Sequence, residues 1–364
     1  MITADIAIIG AGMAGASLAA ATGDTARVVL IEAEAHPGFH ATGRSAAFWS
    51  ETYGGPAIQP LTTASQAFLE QGGYLHPRGS LTIARAGDEA LLDHFMQEFA
   101  GSGVLLNRVG REQIDGMVPA LKPEWNVGVS EPSCQDIDVA GLHAHYLKAG
   151  RANDAELLTG AEVFSMNRDP GGWHIETRAG VVSAPIVVNA AGAWASAIGS
   201  MAAAAPIEIS PFRRTVVQLI VDPAAPADLP LVIDARGDFY IKPEAGGRLW
   251  LSPHDEVPTA ACDAVPEELD IAVAIDRFEQ AFDWRIVKLE HSWAGLRSFS
   301  QDRAPVYGFD RKAPGFFWFA GQGGFGIQTA PAAAEIAAAL LLDRTMPEPV
   351  RGIDIGRYSP DRFL

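Results

Sequence analysis

The stretch IIGAGMAG, residues 8–15, decides the fold of this chain of 364 residues. It starts in a short apolar run that predicts a β-strand, and the alanine-rich segment after it predicts a helix over residues 13–22. The spacing Gly-x-Gly-x-x-Gly at such a turn is typical of dinucleotide binding, because the helix N-terminus offers free N–H groups and a positive dipole end to a pyrophosphate. A second apolar strand ends at Glu32, whose carboxylate can accept hydrogen bonds from ribose hydroxyls. These features predict a βαβ unit that binds a dinucleotide.

Each glycine of this motif has its own steric reason. Gly10 permits the tight turn, Gly12 lets the backbone approach the phosphates, and Gly15 lets the helix pack closely on the strand. A glycine-rich turn without a ligand is the alternative interpretation, but strand, helix, second strand and acidic residue all have the spacing of a dinucleotide site. We therefore expect cofactor contacts from Gly10, Ala11, Gly12, Met13, Ala14, Gly15, Glu32 and Ala33.

A loop without helical periodicity follows the second strand, where an NAD enzyme would continue with another βαβ unit. An ordered loop of this length usually serves a ligand. Thr42, Arg44 and Ser45 can bond phosphate or ribityl oxygens, while Ala46 and Ala47 leave room for a flat ring. The loop therefore favours a flavin dinucleotide.

Charge and cysteine content narrow the possible partners. The chain has 44 acidic and 27 basic residues, and a net charge of -17 repels nucleic acid and anionic lipid, so we predict neither as a partner. Cys134 and Cys262 lack the spacing of a disulfide framework or a zinc site, which predicts no metal site and a reducing, cytoplasmic location. No apolar run approaches the ~20 residues of a membrane helix, so we expect no membrane span and no secretory leader.

Six blocks of sequence, distributed from the first strand to the last helix, carry a family pattern. They are GAGMAGAS (10–17), HATGRSAA (40–47), VVNAAGAWA (187–195), DFYIKPEAG (238–246), HSWAGLRSF (291–299) and GFFWFAGQGGFGIQT (315–329). Together they resemble the D-amino acid oxidase-like flavoproteins, and most closely the bacterial D-arginine dehydrogenases. The resemblance implies FAD as cofactor and oxidation of an amino acid at its α-carbon. Neither cysteine falls in a matching block, so we expect FAD to be bound noncovalently.

The resemblance also implies the domain organisation. We predict an α/β fold with a Rossmann-like FAD-binding domain of the glutathione reductase/D-amino acid oxidase type, made of residues 1–60, 138–206 and 288–364. A second, α+β substrate-binding domain, made of residues 61–137 and 207–287, is predicted to be built on an antiparallel sheet. The strand-rich block over residues 213–252, with a hairpin turn at Gly246 and Gly247, independently predicts that sheet.

Further cofactor contacts are implied by the matching blocks. The glycine loop before the last helix could place the positive end of that helix beside the flavin, where it would stabilise the reduced form. A glycine-rich start of a helix without a ligand is the alternative. The implied contacts are Val163, Ala191, Gly192, Trp194, Arg297, Gly323, Gly324, Gly326, Ile327 and Gln328.

The substrate site is predicted to hold a carboxylate. Arg297 lies in an apolar stretch, where a buried guanidinium needs a partner, and a substrate carboxylate is a suitable one; an internal salt bridge is the alternative. The resemblance assigns Tyr240 and Arg214 to the same carboxylate, although which of Arg213 and Arg214 points inward is open. It also assigns substrate contacts to Tyr53 and Gly324. We expect Tyr53, Tyr240 and Arg297 to be the catalytic residues.

Two positions depart from the D-arginine dehydrogenase pattern. Phe48 stands where that pattern has a histidine, and Ser80 stands near the position of the acid that pairs a cationic substrate tail. The departures weaken the case for arginine or lysine as substrate. Phe48, Trp49 and Tyr53 instead predict an apolar side-chain pocket, with ordinary core packing as the alternative.

The resulting functional prediction is FAD-dependent oxidative deamination of a D-amino acid with an apolar or neutral side chain. Hydride would pass from the α-carbon to flavin N5, and the imine product would hydrolyse to a 2-oxo acid and ammonia. The alternatives are a sarcosine- or glycine-oxidase-like reaction on a secondary or N-methyl amino acid, oxidation of a 2-hydroxy acid, and a flavin-binding sensor without turnover. The electron acceptor, whether a quinone, a dye or O2, and the oligomeric state stay open.

Overall fold

The computed structural model describes residues 1–46 and 48–364. Within them the chain forms helices that are mostly short and cover the sheets from outside. No helix among these residues is both long enough and apolar enough to cross a membrane. The helices are α1 (Met13–Ala21), α2 (Gln59–Gln71), α3 (Glu89–Glu98), α4 (Arg111–Met117), α5 (Val139–Ala152), α6 (Ala195–Met201), α7 (Glu268–Ala281) and α8 (Ala330–Leu341).

The strands of the described residues fall into four sheets. They are β1 (Ile2–Thr3), β2 (Ile6–Ile9), β3 (Val28–Ile31), β4 (Phe48–Trp49), β5 (Leu75–Pro77), β6 (Ser80–Arg85), β7 (Asn107–Gly110), β8 (Trp125–Glu131), β9 (Gln135–Ile137), β10 (Glu156–Leu158), β11 (Val163–Asp169), β12 (Gly172–Thr177), β13 (Gly180–Ala184), β14 (Ile186–Asn189), β15 (Ile209–Asp222), β16 (Leu231–Asp234), β17 (Tyr240–Glu244), β18 (Arg248–Ser252), β19 (Val257–Pro258), β20 (Arg285–Ser300), β21 (Val306–Phe309), β22 (Phe316–Ala320) and β23 (Gln322–Gly323).

A six-stranded sheet in the order β10-β3-β2-β14-β22-β21 contains the first βαβ unit. Its strands run parallel except for the antiparallel pair β21 and β22. β2 and β3 are fully buried and apolar, as strands covered on both faces should be. Leu18 of α1, Leu61 of α2 and Ile336 of α8 share one hydrophobic core with this sheet. The predicted Rossmann-like half of the fold is confirmed.

The largest sheet has the order β23-β20-β15-β18-β17-β16-β6-β8-β7, with β19 beside β15. It is antiparallel except where β16 runs parallel to β6. Gly246 and Gly247, with φ of +77° and +72°, form the predicted turn between β17 and β18. In β15 and β20, Arg214 lies opposite Gly295 and Phe212 opposite Arg297, so the two arginines are diagonal neighbours on one face.

Two small sheets complete the fold. β1, β13, β12 and β11 form one of them, and β4, β9 and β5 form the other. Pairing of β4 with β9 places Phe48 opposite Asp136 and Trp49 opposite Gln135. Phe48 and Trp49 are therefore joined to β9, which follows β8 of the large sheet after a short connection.

The structure corrects one expectation about the end of the chain, that the glycine loop directly precedes the last helix. α8 begins at Ala330, beyond the glycine loop at 323–326, and its first turn contains Pro331, which has no N–H to donate and therefore favours that position. The glycine loop instead continues from β23, whose Gly323 pairs with Ser298 of β20. The predicted domain bounds stay predictions, although the packing of Leu61 beside Ile336 favours counting α2 with the six-stranded sheet.

Candidate active site

A cavity of about 660 Å³ opens where the carboxyl ends of β2, β3 and β14 meet. We call it the cofactor cavity. Predicted residues that line it are Gly10, Gly12, Met13, Ala14, Glu32, Ala33, Thr42, Ser45, Val163, Ala191, Gly192, Trp194, Arg297, Gly323, Gly324, Gly326 and Ile327.

The Gly-x-Gly-x-x-Gly turn has the tight geometry that the sequence predicts. Gly10 has φ of +101°, and a Cβ there would lie 2.5 Å from the carbonyl oxygen of Ala190. A Cβ on Gly15 would lie 1.9 Å from the carbonyl oxygen of Gly10, so no side chain fits between α1 and the turn. Both positions require glycine for packing alone.

The residues of the cofactor cavity fit FAD. α1 has neither a side-chain cap at Gly12 nor an acidic residue in its first turn, which leaves its positive end available to a phosphate. Thr42 Oγ1 accepts the N–H of Met13 at 3.0 Å. The Glu32 carboxylate accepts the N–H of Ala11 at 2.9 Å and that of Glu34 at 3.0 Å, and it still lines the cavity. This donor and acceptor set matches a pyrophosphate and a ribose.

Some predicted cofactor residues lie outside this cavity. Ala11 and Gly15 pack behind its wall. The Arg44 guanidinium donates to the carbonyl of Ala264 at 2.8 Å and pairs with Asp263 at 2.5 Å, so it ties the loop to a neighbouring segment. Ala47 lies outside the described residues. The cofactor role of Arg44 stays a prediction that this geometry does not support.

Other cavity residues were not predicted. His40 packs its ring 4.6 Å from that of Trp194 and bonds Glu34 at 2.9 Å. Arg178, paired with Glu162 at 2.6 Å, reaches the cavity from the four-stranded sheet. His40 stands inside the quoted block HATGRSAA, which was a signal that could have found it; nothing in the sequence marks Arg178.

A much smaller cavity of about 20 Å³, which we call the inner cavity, adjoins the first. Ser45, Arg297, Gly324 and Ile327 line both cavities. The other residues that line the inner cavity are Ala46, Phe48, Tyr53, Arg214, Tyr240 and Gln328. Its volume is close to the ~10–15 Å³ that one water molecule requires.

Arg297 is buried at this junction without an ionic partner. Its side chain makes a long bond of 3.4 Å to the carbonyl of Leu296, and no carboxylate of the described residues lies within 4.0 Å of it. Burial, followed by repulsion from Arg214, lowers the pKa of Arg297. An anion bound here would relieve both effects.

Arg214 and Arg213 point to opposite faces of β15. Arg214 lines the inner cavity, and it pairs with Glu256 at 3.1 Å while donating to the carbonyl of Asp255 at 2.7 Å. Arg213 pairs with Glu267 and Asp270 on the other side. Of the two arginines, Arg214 therefore points toward the inner cavity. Arg214 has an acidic partner, whereas Arg297 has none among the described residues.

Tyr240 is buried at the start of β17. Burial raises the pKa of its phenol, so the hydroxyl stays a hydrogen-bond donor in neutral and mildly alkaline solution. His254 packs 5.6 Å from the Tyr240 ring, and burial with nearby Arg214 lowers the pKa of this histidine to about 3. His254 is thus neutral near pH 7.

Aromatic rings close the inner cavity. The Phe48 and Tyr53 rings lie 5.0 Å apart, and Phe325 lies 5.3 Å from Tyr53. A Cβ on Gly324 would come within 2.5 Å of the Tyr53 hydroxyl, so glycine is needed beneath it. Trp49 does not share in this wall; it is buried in another core cluster, where its indole donates to Thr62. Ser80 is buried in β6 and lines neither cavity.

Glu131 holds the turn that carries Tyr53, a role for which the sequence has no signal. Its carboxylate accepts hydrogen bonds from the hydroxyls of Ser50 at 2.9 Å and Thr52 at 2.6 Å, and from the N–H of Glu51 at 2.7 Å. Burial raises the pKa of Glu131. Gln328 braces the other end of the turn by donating to the carbonyl of Tyr53 at 3.1 Å.

Neither a proton acceptor of the usual kind nor a metal site accompanies these groups. Among the described residues that line the inner cavity there is no histidine, aspartate, glutamate or lysine. Across residues 1–46 and 48–364 no three metal-binding side chains cluster. The inner cavity can therefore bind and orient a carboxylate, but its own walls offer no strong base.

Comparisons with known proteins agree with this geometry. A family model described as DAO, FAD dependent oxidoreductase, matches residues 5–340. Glycine oxidase of Geobacillus kaustophilus is 26% identical over 360 residues, which cover 93% of this chain and 92% of that protein. Its crystal structure has a TM-score of 0.83 at 23% identity and covers 99% of this chain and 98% of that one. The predicted fold class is confirmed.

Two further relatives are longer than this chain. Hydrogen cyanide synthase subunit HcnC of Pseudomonas aeruginosa is 25% identical over 281 residues, 76% of this chain and 64% of the subunit. Mitochondrial dimethylglycine dehydrogenase of Homo sapiens is 28% identical over 268 residues, 68% of this chain and 30% of that protein. The chain thus spans less than two thirds of either relative.

Proposed function

The chain belongs to the DAO family of FAD-dependent oxidoreductases, and from that premise we propose that it oxidises a small neutral amino acid between its α-carbon and its nitrogen. Glycine, N-methylglycine and D-alanine are the substrates we expect. FAD is the cofactor, as the sequence predicted, and when bound it supplies the two-electron oxidant. The observation that carries the proposal is the buried Arg297 guanidinium, which lines both cavities without a carboxylate partner.

A substrate carboxylate supplies the partner that Arg297 lacks. Arg297 can bind it through two parallel N–H donors, and the protonated Tyr240 hydroxyl can donate a further hydrogen bond. Arg214, its charge already partly met by Glu256, adds long-range attraction. In this arrangement β15 and β17 with β20 fix the carboxylate, and the α-carbon faces the cofactor cavity.

The size of the inner cavity favours a small substituent on the α-carbon. About 20 Å³ between Phe48, Tyr53 and Tyr240 leaves no room for a long side chain unless a ring moves. The names of glycine oxidase and dimethylglycine dehydrogenase among the relatives support the same size class.

A D-amino acid with a larger apolar side chain is the second candidate. Phe48 and Tyr53 supply the apolar wall that such a side chain would contact, and both line the cavity. Similarity to D-arginine dehydrogenases stays a prediction, and the absence of any acid among the described residues that line the inner cavity does not favour a cationic substrate. Oxidation of a 2-hydroxy acid is disfavoured for a related reason, because its hydroxyl proton requires a base.

The protein's own residues bind and orient the substrate, and its amine must arrive neutral. Since no strong base lines the inner cavity, the fraction of neutral amine in solution limits the rate at low pH. We expect kcat/KM to rise with pH as the substrate amine deprotonates. Tyr240 should cause no loss on the alkaline side below about pH 10, because burial raises the pKa of its phenol above the usual ~10.

Anaerobic bleaching of the flavin tests this proposal. The yellow protein is mixed without oxygen with glycine, N-methylglycine, D-alanine, L-alanine, D-leucine, D-proline and D-arginine, and the loss of visible flavin absorbance is followed in time. We expect the first three to bleach fastest. Faster bleaching by D-leucine would favour the second candidate, and bleaching by none of the panel would overturn the amino acid proposal.

A further inference from the structure

His143 on α5 connects two walls of the cofactor cavity from behind. It is buried, its Nε2 lies 2.9 Å from the carbonyl oxygen of Ala11, and it does not itself line the cavity. Ala11 is the central residue of the Gly-Ala-Gly turn, whose two glycines do line it. Because a carbonyl oxygen only accepts, Nε2 must carry the hydrogen and donate it.

The same imidazole supports the loop on the opposite side of the turn. A Cβ on Gly38 would lie 2.9 Å from Cε1 and 3.1 Å from Nδ1 of His143, so the Gly38 backbone packs directly on the ring edge. Gly38 lines the cofactor cavity, and its carbonyl accepts the N–H of Gly43 at 2.7 Å. The adjoining Thr42 caps Met13. The His143 ring thus lies between the loop at 38–43 and the Gly-Ala-Gly turn at 10–12, which we call the phosphate turn, and sets the distance between them.

The Ala11 peptide is held at both ends. Its N–H donates to Glu32 at 2.9 Å, and its carbonyl accepts from His143 at 2.9 Å. Neither Ala11 nor His143 lines the cavity, so the bond between them acts by fixing the backbone before the ligand arrives. Fixing a binding site in its bound shape raises affinity, because less ordering has to occur on binding. Burial lowers the pKa of His143, in keeping with a neutral ring.

We propose that His143 is a positioning residue for FAD: its Nε2–H bond to Ala11 and its contact with Gly38 hold the phosphate turn and the 38–43 loop at the separation that the dinucleotide requires. Loss of the donor leaves a buried carbonyl unsatisfied and frees the turn. The effect falls on FAD affinity and is independent of which amino acid the enzyme oxidises.

The test is FAD titration of the apoprotein, followed by quenching of flavin fluorescence. We expect His143→Leu to raise the Kd for FAD by about tenfold to a hundredfold, the usual effect of an unsatisfied buried acceptor. His143→Gln should stay within about threefold of the parent, because its amide nitrogen can reach the same carbonyl. His145→Leu, on the exposed face of the same helix, is the matched control and should leave Kd unchanged.

Two outcomes would overturn the proposal. If His143→Leu binds FAD as the parent does, the bond to Ala11 has no role in affinity. If His143→Leu and His143→Gln are weakened equally, the ring acts by packing and not as a donor. Thermal unfolding of each apoprotein shows whether it is folded. Should His143→Leu fail to fold, His143→Asn replaces it, since its shorter amide cannot reach Ala11; equal Kd values for Asn and Gln would then reject the donor role.

Discussion

In the cofactor cavity two glycine-rich segments, 10–15 and 323–326, contribute backbone and small residues, whereas in the inner cavity arginine, tyrosine and phenylalanine side chains come from distant parts of the chain. The first is a backbone cradle whose shape is set by close contacts. The second is a side-chain chamber in which residues of the large sheet meet Phe48 of the three-stranded sheet. A backbone cradle should tolerate almost no added atoms, while a side-chain chamber should change its selectivity without loss of the fold.

The largest effect should come from adding one methyl group to the cradle. Gly15→Ala places a Cβ 1.9 Å from the Gly10 carbonyl oxygen, so the backbone must shift. We expect a loss of at least about 3 kcal/mol of folding stability and purification without flavin. Gly12→Ala is the matched control for folding stability, because its Cβ would meet only Thr42 Oγ1 at 3.2 Å. Calorimetry measures the stability of both variants, and the ratio of flavin to protein absorbance measures the flavin content of Gly15→Ala. An equal loss of folding stability in the two variants would remove the cradle interpretation.

Removing the guanidinium from the chamber should have the next largest effect. We expect Arg297→Leu to raise KM by about a hundredfold, the size expected for loss of a charged hydrogen-bonding partner, while flavin content stays near that of the parent. Arg297→Lys keeps the charge but not the two parallel donors, so its KM should lie between that of the parent and that of Arg297→Leu. Steady-state kinetics with glycine provide the measurement. An unchanged KM for Arg297→Leu would show that the carboxylate binds elsewhere.

Enlarging the chamber should change selectivity and little else. Phe48→Val removes part of the wall beside Tyr53 and Tyr240. The ratio of kcat/KM for D-leucine to that for glycine should rise by about tenfold, since one or two methylene groups of pocket space carry that much discrimination. Phe164→Val, an exposed aromatic on β11, is the control. A constant ratio would mean that Phe48 does not bound the side-chain space.

The smallest effect should be on stability and concerns Glu131, which holds the turn that carries Tyr53. Burial raises the pKa of Glu131 above its usual value, so the folded state binds this proton more tightly than the unfolded state does. Its contribution to stability is complete below the unfolded-state pKa and is lost as pH rises through the raised value. Glu131→Gln does not titrate, so its free energy of unfolding relative to the parent should increase as pH rises through the pKa of Glu131.

Urea unfolding at several pH values checks this prediction. Glu112→Gln, at an exposed site on α4, is the control and should show no such trend. A difference between Glu131→Gln and the parent that is constant with pH would mean that the buried carboxyl keeps an ordinary pKa.

Sequence reasoning performs unequally in the two regions, for physical reasons. The part of the cradle at 10–15 is local: Gly10, Gly15 and Glu32 lie within one βαβ unit, so spacing alone predicts their contacts. The chamber is assembled from residues far apart in sequence, such as Tyr53 and Arg297, and a family resemblance was needed to bring them together. The sequence did not reveal the partners of the Arg44 guanidinium, Asp263 and Ala264, because they are far away in the chain. Glu131 and His143 act through other residues, which no local pattern reveals.

The start of α8 shows a further limit. Helix-forming residues continue from Ile327, yet the regular helix begins only at Ala330, because residues 324–329 form turns first. Helix propensity does not distinguish a regular helix from successive turns over a few residues. The size of the substituent that fits the inner cavity also depends on tertiary packing, since it is set by the relative orientation of the Phe48, Tyr53 and Phe325 rings.

β20 links residues of the two cavities that have to keep their positions relative to each other. One continuous strand carries Arg297, pairs with the strand of Arg214, and pairs through Ser298 with Gly323 of the cofactor wall. A shift in the register of β20 would displace Arg297 and the cofactor wall at Gly323 together. Phe48 and Tyr53 belong to a different segment, attached through β9 and Glu131. A substitution at Phe48 should therefore change the substrates that fit while the register of β20, and with it the position of Arg297, is retained.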